Sequence, residues 1–452
     1  MSDTSHAPAP VSFTEALRYW LKLGFISFGG PAGQIAIMHE ELVERRRWIS
    51  ERRFLHALNY CMLLPGPEAQ QLATYIGWLM HGTWGGIMAG VLFVLPSLFI
   101  LIALSWLYMA FGSHPEVLGI LYGIKPAVVA IVAFAVYRIG SRAITSGVML
   151  GIAISAFIAI FTLGILYPGF ATFPYIILTA AVIGFIGGRI APDKFSIGGA
   201  HGAVKKNYGP ALIDDDTPGG THTLFKWSRV IIYALIGLLI WLSAIAALYG
   251  WQGWEATLTQ MGWFFTKAAL LTFGGAYAVL PYVYQGGVEH YHWLSATQMI
   301  DGLALGETTP GPLIMVVAFV GFVGGWTQQI AGGNLAVAGI LAACVATFFT
   351  FLPSFIFILA GAPIVEATRD DIKLTAPLSA ITAAVVGVIL NLAVFFAWHV
   401  FWPQGREGSF DWLTALMAMI IFFGLWRFKW GVIPVVLGSG LLGLLFVLFK
   451  IS

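Results

Sequence analysis

The stretch Phe28-Gly29-Gly30-Pro31, followed by Pro65-Gly66-Pro67, occurs a second time as Phe273-Gly274-Gly275 and Pro310-Gly311-Pro312. The two copies span residues 22–67 and 267–312, and 12 of their 46 aligned positions are identical without a gap. Glycine and proline break helices, and all four elements, here called the breaks, lie in apolar surroundings. Duplicated broken helices point to the binding site of a membrane transporter.

The composition supports a membrane protein. The chain has 452 residues, of which 59% are hydrophobic and 10% are charged, whereas soluble domains carry about 25% charged residues. So few charges cannot cover a water-exposed surface. The net charge of +2 excludes a nucleic-acid partner, and two cysteines exclude a disulfide framework or a cysteine-rich metal site. We predict an all-α polytopic membrane protein with no cofactor and no metal.

Nine apolar runs are long enough to cross a bilayer, for which about 20 residues suffice. They are residues 84–111, 117–138, 145–166, 172–190, 228–250, 333–360, 376–401, 411–427 and 431–449. Residues 13–81 and 256–325 contain four further segments interrupted by the breaks, and we predict discontinuous or re-entrant helices there. Such backbone is tolerated at membrane depth only where protein or a water-filled cavity satisfies it. If these segments cross fully, the count is about 13 spans.

The distribution of basic residues predicts that the two copies face opposite ways. Lys and Arg concentrate in cytoplasmic loops, and Arg45-Arg46-Arg47 marks the loop of the first copy and the N-terminus as cytoplasmic. The equivalent loop, Gly286 to Ser295, contains no Lys or Arg and is expected outside. The span at 228–250 supplies the odd crossing that two inverted-topology repeats require.

Three units follow from this organisation. Residues 1–190 form the first repeat, 191–255 a cytoplasmic linker with a connecting transmembrane helix, and 256–452 the second repeat. The polar stretch 191–226 is interpreted as a solvated tether. Its Asp214-Asp215-Asp216 run has no ligand spacing of a metal loop.

The breaks are candidate anion sites. Glycine lets a ligand approach the main chain, and the amides at a helix start favour an anion. Four such helix starts could converge on a tetrahedral oxyanion. The alternative is that these residues only kink helices or allow tight packing. The candidate substrate-binding residues are Phe28, Gly29, Gly30, Pro31, Gln34, Pro65, Gly66, Pro67, Glu68, Gln71, Phe273, Gly274, Gly275, Tyr277, Thr308, Thr309, Pro310, Gly311 and Pro312.

Ionisable residues near the breaks are candidates for ion coupling, because a charge inside the membrane is costly. Glu68 and Glu307 are each either proton carriers or members of structural ion pairs. Lys22 and Lys267, matched across the copies, either attract an anion or extend to the membrane interface. Arg45 either recruits anions from the cytoplasm or sets topology.

Motifs for catalysis are absent from the sequence. It contains no phosphate-binding Gly-x-x-x-x-Gly-Lys-Ser/Thr loop, no His-Glu-x-x-His zinc helix and no Gly-x-Ser-x-Gly nucleophile elbow. We therefore predict no enzyme and no catalytic residue, and active transport would need an ion gradient or the membrane potential. The alternatives are a passive anion channel and a membrane enzyme acting on a lipid phosphate, for which the required residue cluster is missing.

The repeated phrases resemble the chromate ion transporter (CHR) family, in its long two-domain form. The resemblance rests on Phe28-Gly29-Gly30-Pro31, Glu44-Arg45-Arg46-Arg47-Trp48-Ile49-Ser50, Leu64-Pro65-Gly66-Pro67-Glu68, Leu95-Pro96-Ser97, Phe273-Gly274-Gly275, Trp293-Leu294-Ser295, Thr309-Pro310-Gly311-Pro312 and Leu352-Pro353-Ser354. It implies export of chromate across the bacterial inner membrane, driven by the proton-motive force, with sulfate as a competitor. The alternative is a transporter or passive channel for another inorganic anion such as sulfate. The expected partners are this oxyanion, protons, the lipid bilayer and, in a homodimer, a second copy. Residues 285–292 lack the basic run of many family second halves.

Overall fold

The computed structural model describes residues 8–167, 172–195, 208–215, 217, 220, 222–273, 275–367, 375–405 and 408–451. Within these ranges the chain is helical, with one isolated bridge between Ile49 and Ile213. The helices are α1 Phe13–Ile26, α2 Gly30–His39, α3 Glu51–Leu63, α4 Glu68–Phe111, α5 Pro115–Ala143, α6 Gly147–Leu166, α7 Phe173–Ile190, α8 Trp227–Gln252, α9 Thr257–Leu270, α10 Ala276–Tyr284, α11 Ala296–Thr308, α12 Val316–Thr327, α13 Leu335–Ala367, α14 Thr375–Phe401, α15 Trp412–Arg427 and α16 Val432–Ile451.

Eight of these helices are long and apolar enough to cross a membrane: α4 to α8, α13, α14 and α16. The ninth predicted span, 411–427, is the shorter apolar helix α15 of 16 residues. The polytopic all-α prediction is therefore confirmed. Helix α8 buries only Gly237 among its residues, so nearly all of its apolar surface is available to lipid.

The duplication is visible in local structure. Both copies contain a π-helical turn, Glu40–Arg45 and Gln285–His290, at matched positions. Two residues after each turn, a residue has positive φ: Arg47 at 53° and His292 at 52°. The serines Ser50 and Ser295 then cap the next helix by accepting a hydrogen bond from its third amide.

Helix α4 consists of two helices joined at a kink. His81 and Gly82 have non-helical backbone angles there, so the helix that follows the first Pro-Gly-Pro ends near residue 81. This shape corresponds to the separate helices α12 and α13 of the second copy. The order α1 to α7 thus repeats as α9 to α16, and α8 is the connecting helix.

Packing between the copies is reciprocal. Helix α5 packs on α15 and α16, and its counterpart α14 packs on α6 and α7. An exchange of equivalent contacts is the signature of an isologous, two-fold-related interface. The two copies are therefore intertwined about an approximate two-fold axis. The unit boundaries at 190 and 256 stay a prediction.

Part of the linker is docked. The amides of Leu212 and Ile213 donate to the carbonyls of Arg47 and Trp48 over 2.9 and 3.0 Å, and the Ser50 amide donates to Ile213 over 3.0 Å. The prediction of a solvated tether is therefore wrong for residues 208–215, because main-chain bonds fix them to the loop of the first copy. Asp214 accepts from the Ala211 amide, a local structural use of this carboxylate.

Candidate functional site

The four breaks are joined crosswise. The Gly66 amide, in the first Pro-Gly-Pro, donates to the carbonyl of Thr272 over 2.7 Å, just before the second Phe-Gly-Gly. The equivalent Gly311 amide donates to the carbonyl of Ser27 over 2.7 Å. We call this meeting place the crossing. The amides of Gly66 and Gly311 are consequently engaged by the protein and are not free to bind an anion.

Two serines pack against the central glycines of the crossing in the same reciprocal way. A Cβ added at Gly311 would lie 2.7 Å from the Cβ of Ser97, and one added at Gly66 would collide with the hydroxyl of Ser354. Both glycines also have positive φ, 132° for Gly66 and 101° for Gly311, a region that residues with a Cβ rarely adopt. These positions therefore require glycine for two independent reasons.

The Phe-Gly-Gly breaks border open space instead. Gly30 and Gly275 have φ of 67° and 98°, and a Cβ added to either would meet no atom within 4 Å. Phe28, Pro31 and Phe273 are half-buried, whereas Gly29 is exposed; Gly274 lies outside the described residues. Gly30 and Gly275 thus leave room for a ligand beside the backbone.

Four predicted polar ligands are already used to hold the breaks. Gln34 donates to the Gly311 carbonyl over 2.5 Å, and Gln71 donates to the Pro65 carbonyl over 2.9 Å. The hydroxyls of Thr308 and Thr309 donate to carbonyls of α11 over 2.9 and 3.0 Å. The amide nitrogens of Gln34 and Gln71 also lie 3.4 Å from the Ser27 carbonyl and 3.5 Å from the Ser354 hydroxyl. In this conformation these groups hold the backbone of the breaks. The prolines Pro65, Pro67, Pro310 and Pro312 flank the crossing, the last three of them buried.

The two predicted carboxylates are not equivalent. Glu68 is the first residue of α4, half-buried, with no hydrogen bond or ion pair among the described residues. Glu307 accepts a hydrogen bond from the Tyr277 hydroxyl. Met62 occupies the position of Glu307 in the first copy, and Leu313 occupies the position of Glu68 in the second copy. The two copies therefore present different chemistry at their breaks.

Among the described residues, the predicted lysines and Arg45 make no hydrogen bond or ion pair with the breaks. Lys22 is exposed on α1. Lys267 lies over the ring of Trp263 at 5.7 Å. Arg45 pairs with Glu40 over 2.6 Å at an exposed position. These placements favour the interfacial and topological alternatives for the three cations.

Two cations that the sequence analysis left out lie in α5. Lys125 acts electrostatically on Asp301 of α11, whose carboxylate accepts from Tyr108 over 3.0 Å. Arg138 acts on Glu307 of the same helix. The signal was available, because both cations stand inside the predicted span 117–138 or at its end, where a charge is costly.

The beginning of α3 is tied to the long helices α4 and α13. Arg53 of α3 pairs with Glu366 of α13 over 2.9 Å, with side chains 6% and 7% exposed, and Tyr75 donates to the same carboxylate over 2.5 Å. Arg53 also donates to the Asp214 carbonyl of the docked linker over 3.1 Å. The α3 contact links the first copy, the second copy and the linker.

The two copies differ in how closely their short helices pack. Helix α10 is buried along its whole length and packs on α14, while α11 packs on α5 and α16. Within the described ranges, α2 and α3 pack on α4 and α13, without comparable contacts to α5, α14 or α7. Of α2, only Gln34 and Met38 are buried. The crossing is therefore closed on the side of α10 and α11 and less covered on the side of α2 and α3.

Comparisons with known proteins identify the family. The family described as "Chromate transporter" matches residues 14–185 and 259–444, one match for each copy. The chain is 29% identical to the chromate transport protein of Cupriavidus metallidurans over 97% of this chain and 94% of the relative. It is 31% identical to the chromate transport protein of Pseudomonas aeruginosa over 98% of this chain and 94% of the relative. No solved structure gave a significant match. With both copies matched and the relatives covered almost end to end, the chain belongs to the chromate transporter family.

Proposed function

We propose that the chain is a secondary active transporter that exports chromate across the bacterial inner membrane and binds it near the crossing. The observation that carries the proposal is the reciprocal pair of bonds from Gly66 to Thr272 and from Gly311 to Ser27. These bonds bring both duplicated breaks to one place, beside glycines that border open space. The relatives named as chromate transport proteins supply the substrate.

Alternating access is the transport mode that this arrangement supports. Two inverted repeats can exchange conformations about a fixed site. The second copy has its short helices packed on α5 and α14, and the first does not. If Arg45-Arg46-Arg47 marks the cytoplasmic side, this conformation is open to the cytoplasm. Exchange of the two packing modes would then open the crossing to the outside.

The membrane potential favours export of a dianion. Each charge that crosses 100 mV contributes about 2.3 kcal/mol, so an inside-negative potential of that size supplies roughly 4.6 kcal/mol for chromate. Since about 1.4 kcal/mol corresponds to a ten-fold concentration ratio, this is a large driving force. A proton gradient adds to this driving force if Glu68 or Glu307 carries a proton in the direction opposite to chromate.

Reconstitution tests the proposal. Purified protein in liposomes is supplied with chromate, and its flux is followed under an imposed proton gradient, an imposed potential and neither. We expect accumulation of chromate against its own gradient when a driving force is applied, and inhibition by sulfate, which has the same shape and charge. Flux that only ever equilibrates chromate would instead make the protein a passive channel. Transport of sulfate but not of chromate would contradict the assignment of chromate as the substrate.

A further inference from the structure

A transported oxyanion needs donors that the protein does not already use. At the crossing, Gln34, Gln71, Thr308 and Thr309 all donate to main-chain carbonyls. The Tyr277 hydroxyl donates to Glu307. The side chains predicted to bind the anion therefore stabilise the fold in this conformation, and the charge partner has to come from elsewhere.

Helix α5 brings such a group. Arg138 is half-buried near the end of α5, and α5 packs directly on α11, which carries Glu307. The guanidinium acts electrostatically on both Glu307 and Tyr277. Among the described residues it makes no hydrogen bond and no ion pair within 4 Å. A guanidinium presents five donors in a planar fork that suits an oxyanion. These donors of Arg138 have no partner among the described residues.

Glu307 is the group that competes for this arginine. The titratable or charged groups that act on it within the described residues are Tyr277 of α10 and Arg138 of α5. Asp301, two turns earlier on α11, is engaged with Tyr108 of α4 and faces Lys125. Helix α12, which also packs on α11, carries no ionisable side chain. Glu307 therefore interacts chiefly with the Arg138 charge and the Tyr277 hydroxyl.

We propose that Arg138 is the charge partner of the transported oxyanion, and that Glu307 is the counter-ion that the oxyanion displaces. This rests on the proposed function and deepens it. An ionised Glu307 attracts Arg138 across the packing of α5 on α11 without contacting it, and it repels a dianion, whereas a protonated Glu307 does neither. Anion binding and proton binding are thus linked at one site. A proton on Glu307 neutralises the charge that competes with the oxyanion for Arg138.

The site exists in one copy only. In the first copy, the positions of Tyr277 and Glu307 are occupied by Ala32 and Met62, which offer neither a hydroxyl nor a carboxylate. Met62 is 48% exposed. The duplication therefore supplies two symmetric backbone frames and a single charged centre, so one oxyanion is bound per chain.

Binding of chromate to the purified full-length protein tests the assignment, at several pH values around neutrality. Wild type is expected to bind chromate more weakly as the pH rises, because Glu307 becomes ionised. Arg138→Gln is expected to weaken binding by about ten-fold or more, since a charge-assisted contact is lost. Glu307→Gln is expected to strengthen binding at high pH and flatten the pH dependence. Arg142→Gln, on the same helix one turn later and exposed, is the matched control and should bind as wild type.

The double variant Arg138→Gln/Glu307→Gln separates binding from folding. If Arg138 only balances the charge of Glu307 in the fold, the double variant recovers both thermal stability and chromate affinity, and the assignment is overturned. If Arg138 binds the anion, stability recovers and affinity does not. Unchanged affinity of a folded Arg138→Gln protein also overturns it. Failure of wild type to bind or transport chromate would refute the proposed function instead, which keeps the two claims distinguishable.

Discussion

The backbone amide of Gly311 donates to the carbonyl oxygen of Ser27 over 2.7 Å, although 284 residues of chain separate them. This bond joins the last break of the second copy to the first break of the first copy. Its repeat mate joins Gly66 to Thr272 at the same distance. The pair of bonds makes the four breaks one structural unit. A substitution that disrupts one break should therefore also destabilise the other copy.

Alanine at Gly66 or Gly311 should destabilise the whole protein. Each variant forces a Cβ into positive φ, at about 1–2 kcal/mol, and into contact with Ser354 or Ser97. We expect a lower midpoint of thermal unfolding for protein purified in detergent. Gly151→Ala on α6 is the control, because its Cβ meets no atom within 4 Å. Equal midpoints for all three variants would mean that the crossing contributes little to stability.

Gly275→Leu should behave differently from those two variants. The position opens onto free space, so the side chain meets no atom at its Cβ and enters the region assigned to the ligand. Its positive φ of 98° still strains the backbone of the variant, at about 1–2 kcal/mol, but no steric collision is added. Stability should therefore fall less than for Gly66→Ala or Gly311→Ala, while chromate transport is lost. Normal transport by a well-expressed Gly275→Leu protein would remove this space from the substrate path.

Arg53→Met should be strongly destabilising, because it removes the guanidinium that pairs with the buried Glu366 carboxylate. Breaking one side of a buried pair typically costs about 3–5 kcal/mol. The double variant Arg53→Met/Glu366→Met should recover much of the loss, as measured by thermal unfolding. Arg45→Gln, at an exposed pair, should cost less than about 1 kcal/mol. A similar loss for Arg45→Gln and Arg53→Met would contradict the assignment of Arg53 as the buried anchor of α3.

Ile213→Pro should release the docked linker. Proline has no amide hydrogen, so the bond to the Trp48 carbonyl cannot form. Limited proteolysis of the protein purified in detergent should then cut residues 208–215 faster than in wild type, while Ile213→Val stays protected. Equal cleavage of the two variants would show that this main-chain contact does not hold the linker in solution.

The sequence predicted the fold better than the site. Apolar runs and duplicated glycines and prolines indicated the spanning helices and the breaks, because both are local signals. The pairing of Gly66 with Thr272 was not predictable, because it depends on how the two copies pack. Gln34 and Gln71 were predicted as ligands, but their amides donate to main-chain carbonyls of the breaks. The Gly311 carbonyl lies near Gln34 only because the two copies pack together. Arg138 was not among the predicted site residues, since nothing local shows that α5 packs on α11.

The central claim is that two oppositely oriented copies meet at their breaks. Labelling of matched single cysteines tests this claim most directly. Glu44 and Glu289 occupy the same repeat position and are both exposed, so Glu44→Cys and Glu289→Cys differ only in the copy that carries the thiol. With Cys61 and Cys344 replaced by alanine, each is exposed to a membrane-impermeant maleimide in intact and in permeabilised cells. The account predicts that Glu289→Cys is labelled in intact cells and Glu44→Cys only after permeabilisation. Labelling of both from the same side would contradict it.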